Sequence, residues 1–161
     1  MFSLPLLFTG DDGASRWKQT AWEEQTRGGM KLTPQIGTSS LRLRTSVPGY
    51  TTDWHVAGDP VMIVVQRGVL RIELRDGTVR DFGPGQGFIA ADRLKQDESF
   101  DPARHGHRAR VIGVDRLEAV HFKLVDFEST KVTQETRLHT AALPGSCVAP
   151  RTEKTPTICG P

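Results

Sequence analysis

Two histidines far apart in the chain are the side chains best placed to do chemistry: His55, in Asp53-Trp54-His55, and His107, in Gly106-His107-Arg108. Imidazoles in general titrate close to cellular pH, so one ring can take a proton while a second gives one. His107 opens an alternating run in which Arg108 and Arg110 belong in water, leaving His107, Ala109 and Val111 on the other face. A histidine on an apolar face must find a hydrogen-bond partner or do chemistry. His55 is less constrained, because Asp53, His55 and Ala57 share one face, Trp54 and Val56 share the other, and either set could point inward. Asp92 ends a strand ahead of a polar loop, where it serves either to orient His107 or to cap the strand. Asp59, in Gly58-Asp59-Pro60, combines a carboxylate close to His55 with a sequence that suits an ordinary turn.

Several other polar residues receive no role. Glu73 alternates with Ile72 and Leu74 and should face solvent, and Gln66 closes a strand before a turn. His121 lies off the apolar face made by Val120, Phe122 and Leu124, and His139 is in the carboxy-terminal tail. Cys147 and Cys159 are also in that tail, where two free thiols are expected rather than a disulfide framework. No serine occupies a strained strand-turn-helix setting, so nucleophilic catalysis is not indicated.

The elements that must position these residues are short strands. Ser40 to Val47 alternates with period two, placing Leu41, Leu43, Thr45 and Val47 on the face expected to be buried. Val61 to Val65 is apolar on both faces, Leu70 to Leu74 alternates, and Asp76-Gly77 is a strong hairpin signal. Thr78 to Phe82, Gly87 to Ala91, His107 to Val111 and Glu118 to Val125 follow, separated by Gly, Pro and polar turns. About eight strands at this spacing, with almost no helical periodicity, predict an all-β antiparallel barrel or sandwich. Residues 1–37 read either as an arm plugging a groove with Trp17 and Trp22, or as a short helix capped by Ser15 and ended by Gly28-Gly29. From residue 128 onward the chain is Thr- and Pro-rich and reads as a tail. The expected organisation is therefore an arm over 1–37, a barrel over 38–127 and a tail over 128–161.

Composition excludes some partners. The 161 residues carry 21 basic and 19 acidic side chains, a formal charge of +2, with the basic residues scattered rather than clustered. No nucleic-acid footprint is present. The apolar run from Leu4 to Phe8 is too short to span a membrane, and no Lys or Arg precedes it as in a secretory signal, so a cytoplasmic protein is expected.

Residues 40–125 resemble the cupin superfamily. That family combines two closely spaced histidines, a carboxylate and a closing glycine with a later Pro-Gly turn and a further histidine. Here His55 matches the first histidine, Gly68 the closing glycine, Pro84-Gly85 the turn and His107 the last histidine. Ala57 stands at the second-histidine position and Val61 at the carboxylate position, and the loop from Asp92 to Gly106 is longer than usual. The resemblance implies a double-stranded β-helix, or jelly roll, with His55 inward and Trp54 packed behind it. It also implies a small-molecule site in the mouth, and pairing of two copies into a homodimer through edge strands.

A zinc or non-haem iron centre usually takes three protein donors. His55 and His107 are two, and Asp59, Asp53, Asp92 and His105 are the routes to a third. Two positions that hold the metal in the family lack donor atoms here, so no cofactor is expected. A divalent Fe, Zn, Mn or Ni held by His55 and His107 is the alternative. The leading expectation is a lyase or isomerase using His55 and His107 for proton transfer, with Trp54, Asp59 and Asp92 contacting the substrate. The competing readings are a metal-dependent oxygenase or hydrolase and a non-catalytic binding or regulatory cupin; fold alone does not choose among them.

Overall fold

The structure is a computed structural model that describes residues 1–127. Eleven strands form within them: β1 (Phe2–Thr9), β2 (Ser15–Trp22), β3 (Gln25–Arg27), β4 (Met30–Leu32), β5 (Thr38–Ser46), β6 (Val61–Arg67), β7 (Val69–Leu74), β8 (Val79–Phe82), β9 (Gly87–Ala90), β10 (His107–Ile112) and β11 (Leu117–Leu124). A six-stranded sheet runs β2-β1-β9-β6-β11-β5, and it faces a three-stranded sheet ordered β10-β7-β8. Residues 51–55 extend the smaller sheet by bridges from Thr51 to Arg110 and from His55 to His107. The fold is the expected all-β, cupin-like jelly roll, built as two facing sheets rather than one closed cylinder. No helix among the described residues is long and apolar enough to cross a membrane. The tail from residue 128, with His139, Cys147 and Cys159, lies outside the described residues.

The core lies between the sheets. Leu7, Ile63, Val65, Phe88 and Ala119 of the larger sheet meet Leu70, Ile72, Leu74, Ala109 and Val111 of the smaller one. Phe88 stacks on Phe82 with centroids 4.4 Å apart, and Trp17 meets both rings at 5.7–5.8 Å. Burying a side chain of this size stabilises the fold by about 1.5–3 kcal/mol. The Asp76-Gly77 hairpin forms as expected, the carboxylate of Asp76 accepting the Thr78 amide at 2.8 Å. Gly68, at φ +75°, passes so close to β11 that a Cβ would lie 2.6 Å from the Arg116 carbonyl oxygen, so only glycine fits there.

Two expectations need correction. Residues 15–22 are a strand and not a helix, paired with β1 so that Leu7 opposes Trp17. β1 in turn runs parallel to β9, and Leu6 and Leu7 are fully buried. The Trp17–Ala21 spacing that suggests a helical turn is overridden by the sheet edge that β1 offers to β2.

The second correction concerns which side of β5 and β11 faces the core. Leu117 and Ala119 point into the space between the sheets, and so does His121, whereas Phe122 packs on the other face of the larger sheet in a second apolar cluster with Leu6, Ile89, Ala91 and the buried Leu124. On β5 the same inversion leaves Leu41 and Leu43 56% and 78% exposed. Alternation separates two faces of a strand but does not say which is inside when both carry apolar groups.

Candidate functional site

The site is built where the edge of the smaller sheet meets the end of β9. His107 opens β10 with its side chain on the core face, and it is only 4% exposed. Its backbone exchanges two hydrogen bonds with His55: His55 N–H donates to the His107 carbonyl at 3.0 Å, and His107 N–H donates to the His55 carbonyl at 2.8 Å. Directly opposed residues of an antiparallel pair project to the same face, so His55 is inward as the family pattern implies. The two ring centroids are 4.5 Å apart, inclined at 49°. Gly106 permits this approach. At φ +82°, a Cβ on it would lie 2.4 Å from the His55 carbonyl oxygen.

Asp92 fixes the orientation of His107. It follows the last core residues of β9, is 0% exposed, and its Oδ2 lies 2.9 Å from His107 Nδ1. Ser15 Oγ donates to the same oxygen at 2.6 Å, and the Ala57 amide donates to Oδ1 at 3.1 Å. Burial pushes the Asp92 pKa up. The hydrogen bond and charge of His107, the Ser15 hydroxyl and the Ala57 amide outweigh this and hold it below the ordinary carboxylate value. An ionised carboxylate only accepts, so Nδ1 of His107 carries the proton and Nε2 presents its lone pair. His55 is oriented the same way, its Nδ1–H donating to the Asp53 carbonyl oxygen at 2.8 Å. Both imidazoles are thus engaged at Nδ1, which leaves Nε2 of each for proton transfer.

The remaining expected residues are placed elsewhere. Trp54 lies beneath two guanidiniums, Arg75 at 3.7 Å and Arg108 at 5.1 Å from its ring centroid, on the side opposite the paired histidines. Asp59 has a 71% exposed side chain paired with Lys123 at 2.6 Å. Asp92 has both oxygens engaged and reaches the site only through His107. His105 is buried in the long loop, accepting the Asp101 amide at Nδ1 (2.9 Å) and facing Glu98 at Nε2 (3.1 Å). Gln66 is exposed as expected, whereas Glu73, though on the outer face, is covered by Arg108 and Arg110 with its side chain only 15% exposed.

These placements decide how well the residues fit a metal. His55 and His107 supply two nitrogen donors. Asp92 is on the Nδ1 side of His107, while Asp59 and His105 have partners of their own. Among the described residues no group of three or more His, Cys, Asp or Glu side chains is placed to share an ion. The donor set therefore does not fit a resident three-donor centre.

Ser15 is the residue that sequence reasoning missed. It reads as a helix cap, yet it anchors a carboxylate 77 positions away, and nothing local signals that contact.

No protein-family model matches the chain, and neither does any curated protein. Among solved structures, the capsular polysaccharide assembling protein CapF from Staphylococcus aureus is 12% identical with a TM-score of 0.36, over 70% of this chain and 33% of its own. The chain thus spans about a third of CapF. The polyketide cyclase RemF from Streptomyces resistomycificus is 15% identical with a TM-score of 0.36, over 65% of this chain and 72% of its own. The Cnp3 cupin domain of Schizosaccharomyces pombe is 12% identical, again with a TM-score of 0.36, over 76% of this chain and 88% of its own. The fold described above rests on strand order and register, and activity has to be argued from the site.

Proposed function

We propose that the protein is a small-molecule enzyme of lyase or isomerase type in which His107 and His55 move protons within the jelly roll. The observation that carries this reading is the buried Asp92–His107 pair beside a second imidazole, at 2.9 Å and 4.5 Å respectively. His107 Nε2 is the base. It takes a proton from a carbon acidified by a neighbouring carbonyl or carboxylate, and the imidazolium that results is stabilised by Asp92 through Nδ1–H. His55, which takes up a proton from solvent at Nε2, returns it to the leaving group or to the far end of a shifting double bond, and His107 releases its proton to solvent to complete the cycle. One proton is taken and one returned, so no redox partner is required. Asp92 is a positioning residue in this scheme. Asp59, exposed and paired with Lys123 at 2.6 Å, takes no part in the scheme, and Trp54 stiffens the outer face behind His55.

The test is proton exchange with solvent. Small carbonyl and carboxylic compounds that raise the melting temperature are incubated with the protein in D₂O and followed by proton NMR. Deuterium should enter at one carbon, and His107→Gln should abolish the exchange while leaving the fold intact. Exchange that persists in His107→Gln removes the base from the proposal.

A further inference from the structure

The inner face of β5 carries Ser40, Arg42 and Arg44, and register sets Lys123, His121 and Ala119 of β11 directly across from them. Ser40, Arg42, His121 and Lys123 form one side of a cleft of about 290 Å³, and Ala57, Asp59 and Val61 form the other. That volume is at the small end for organic ligands. Ala57 and Val61 pack against the main core and give that side an apolar patch, beside which the Asp59 carboxylate is neutralised by Lys123.

The charges in the cleft are unevenly matched. Lys123 is already paired with Asp59 at 2.6 Å, whereas none of the ion pairs among the described residues involves Arg42. His121 Nε2 is buried with no hydrogen-bond partner among the described residues. Burial, then the charges of Arg44 and Arg42, lower the His121 pKa to about 4, so the ring is neutral at pH 7. A neutral imidazole can point an N–H at an anion. Without one, a buried polar atom stays unsatisfied beside two guanidiniums, an arrangement that costs stability.

We propose that this cleft binds a small organic carboxylate, held by Arg42 and the His121 N–H, with its hydrocarbon body against Ala57 and Val61. The guanidinium fork matches a carboxylate in two parallel hydrogen bonds. One unpaired guanidinium balances one negative charge, and the apolar wall favours a carboxylate with a hydrocarbon body over a bare phosphate dianion. The assignment rests on these residues and not on the proton-transfer reading. The two sites adjoin through Ala57, which lines the cleft while its amide donates to Asp92 at 3.1 Å.

The test is calorimetric titration of the full-length protein with monocarboxylates of increasing hydrocarbon length, from acetate to 3-phenylpropanoate, and with inorganic phosphate. Affinity should rise with hydrocarbon length. Arg42→Gln, at an exposed position that the fold tolerates, should weaken binding about ten- to a hundredfold. His121→Phe, which keeps a ring and removes the N–H, should weaken it by about tenfold. His107→Gln should bind as the parent protein does, so that failure of the proton-transfer reading leaves this result standing. Phosphate binding more tightly than every carboxylate overturns the proposal, as does binding that ignores Arg42→Gln and His121→Phe. Binding lost in His107→Gln, or no saturation by about 10 mM ligand, also overturns it.

Discussion

Asp92→Asn keeps the size of the side chain and removes its ability to accept from every side. Three donors converge on Asp92: the Ser15 hydroxyl and His107 Nδ1–H on Oδ2, and the Ala57 amide on Oδ1, at 2.6, 2.9 and 3.1 Å. The amide cannot reverse its polarity, so the single oxygen of asparagine stays with Ala57 and its NH₂ group faces Ser15 and His107. The serine hydroxyl can rotate to accept. The imidazole can accept only by moving its proton to Nε2, and that removes the lone pair from the site. Replacing hydrogen bonds to a buried charge by weaker neutral ones costs about 1.5–3 kcal/mol, a fall of roughly 3–12 °C in melting temperature for a chain of this size. Losing a general base costs about 10²–10⁴ in rate. The assay is two-bond ¹H–¹⁵N NMR of the histidine rings, which distinguishes the tautomers directly. In the parent protein the His107 ring should be protonated at Nδ1, and in Asp92→Asn at Nε2. An unchanged tautomer with unchanged stability would refute the reasoning that a charged acceptor sets the ring.

Five further outcomes follow from the structure. Gly106→Ala should destabilise the protein by more than about 1 kcal/mol, because its Cβ would meet the His55 carbonyl oxygen at 2.4 Å; denaturant unfolding measures the loss, and NMR should show the two rings moved apart. His121, with its folded pKa lowered from 6.5 to about 4, binds fewer protons folded than unfolded, so stability should fall as pH drops from 6.5 towards 4. Discounted for partial solvent access, the effect is about 1–2 kcal/mol, and His121→Phe should flatten that arm of the pH–stability curve. Asp92, also lowered, keeps its contribution above the ordinary carboxylate value and loses it only at more acid pH. Elemental analysis of protein purified without chelator should find no stoichiometric Fe, Zn, Mn or Ni; one equivalent would establish the metal-dependent alternative. Finally, the exposed Leu41 and Leu43 lie on an edge strand, so light scattering should show a homodimer that Leu43→Lys converts to monomer.

Much of the fold was legible because charge marks the outer face. Arg108 and Arg110 point His107, Ala109 and Val111 inward, and Asp76-Gly77 turns β7 into β8, both as the sequence indicates. Where charge does not mark a face, the reading inverts. On β11, one face carries Glu118 and the other Lys123, so alternation leaves the choice open, and the structure takes Leu117, Ala119 and His121 inside. The amino-terminal hairpin was obscured because its strands gain stability from pairing with β9, a contact made across some eighty residues. The paired histidines were visible as candidates, but what fixes them was not. Ser15, Asp92 and Ala57 meet only once β1 has paired with both β2 and β9, and no local spacing encodes a hydrogen bond between β2 and the end of β9.

The most direct measurement is a crystal structure of the protein with a compound whose C–H bond it exchanges in D₂O. The reacting group should sit within hydrogen-bond reach, about 2.6–3.2 Å, of both His55 Nε2 and His107 Nε2, with Asp92 still holding Nδ1. A compound that exchanges while touching neither ring, or only one, would contradict proton transfer by the pair.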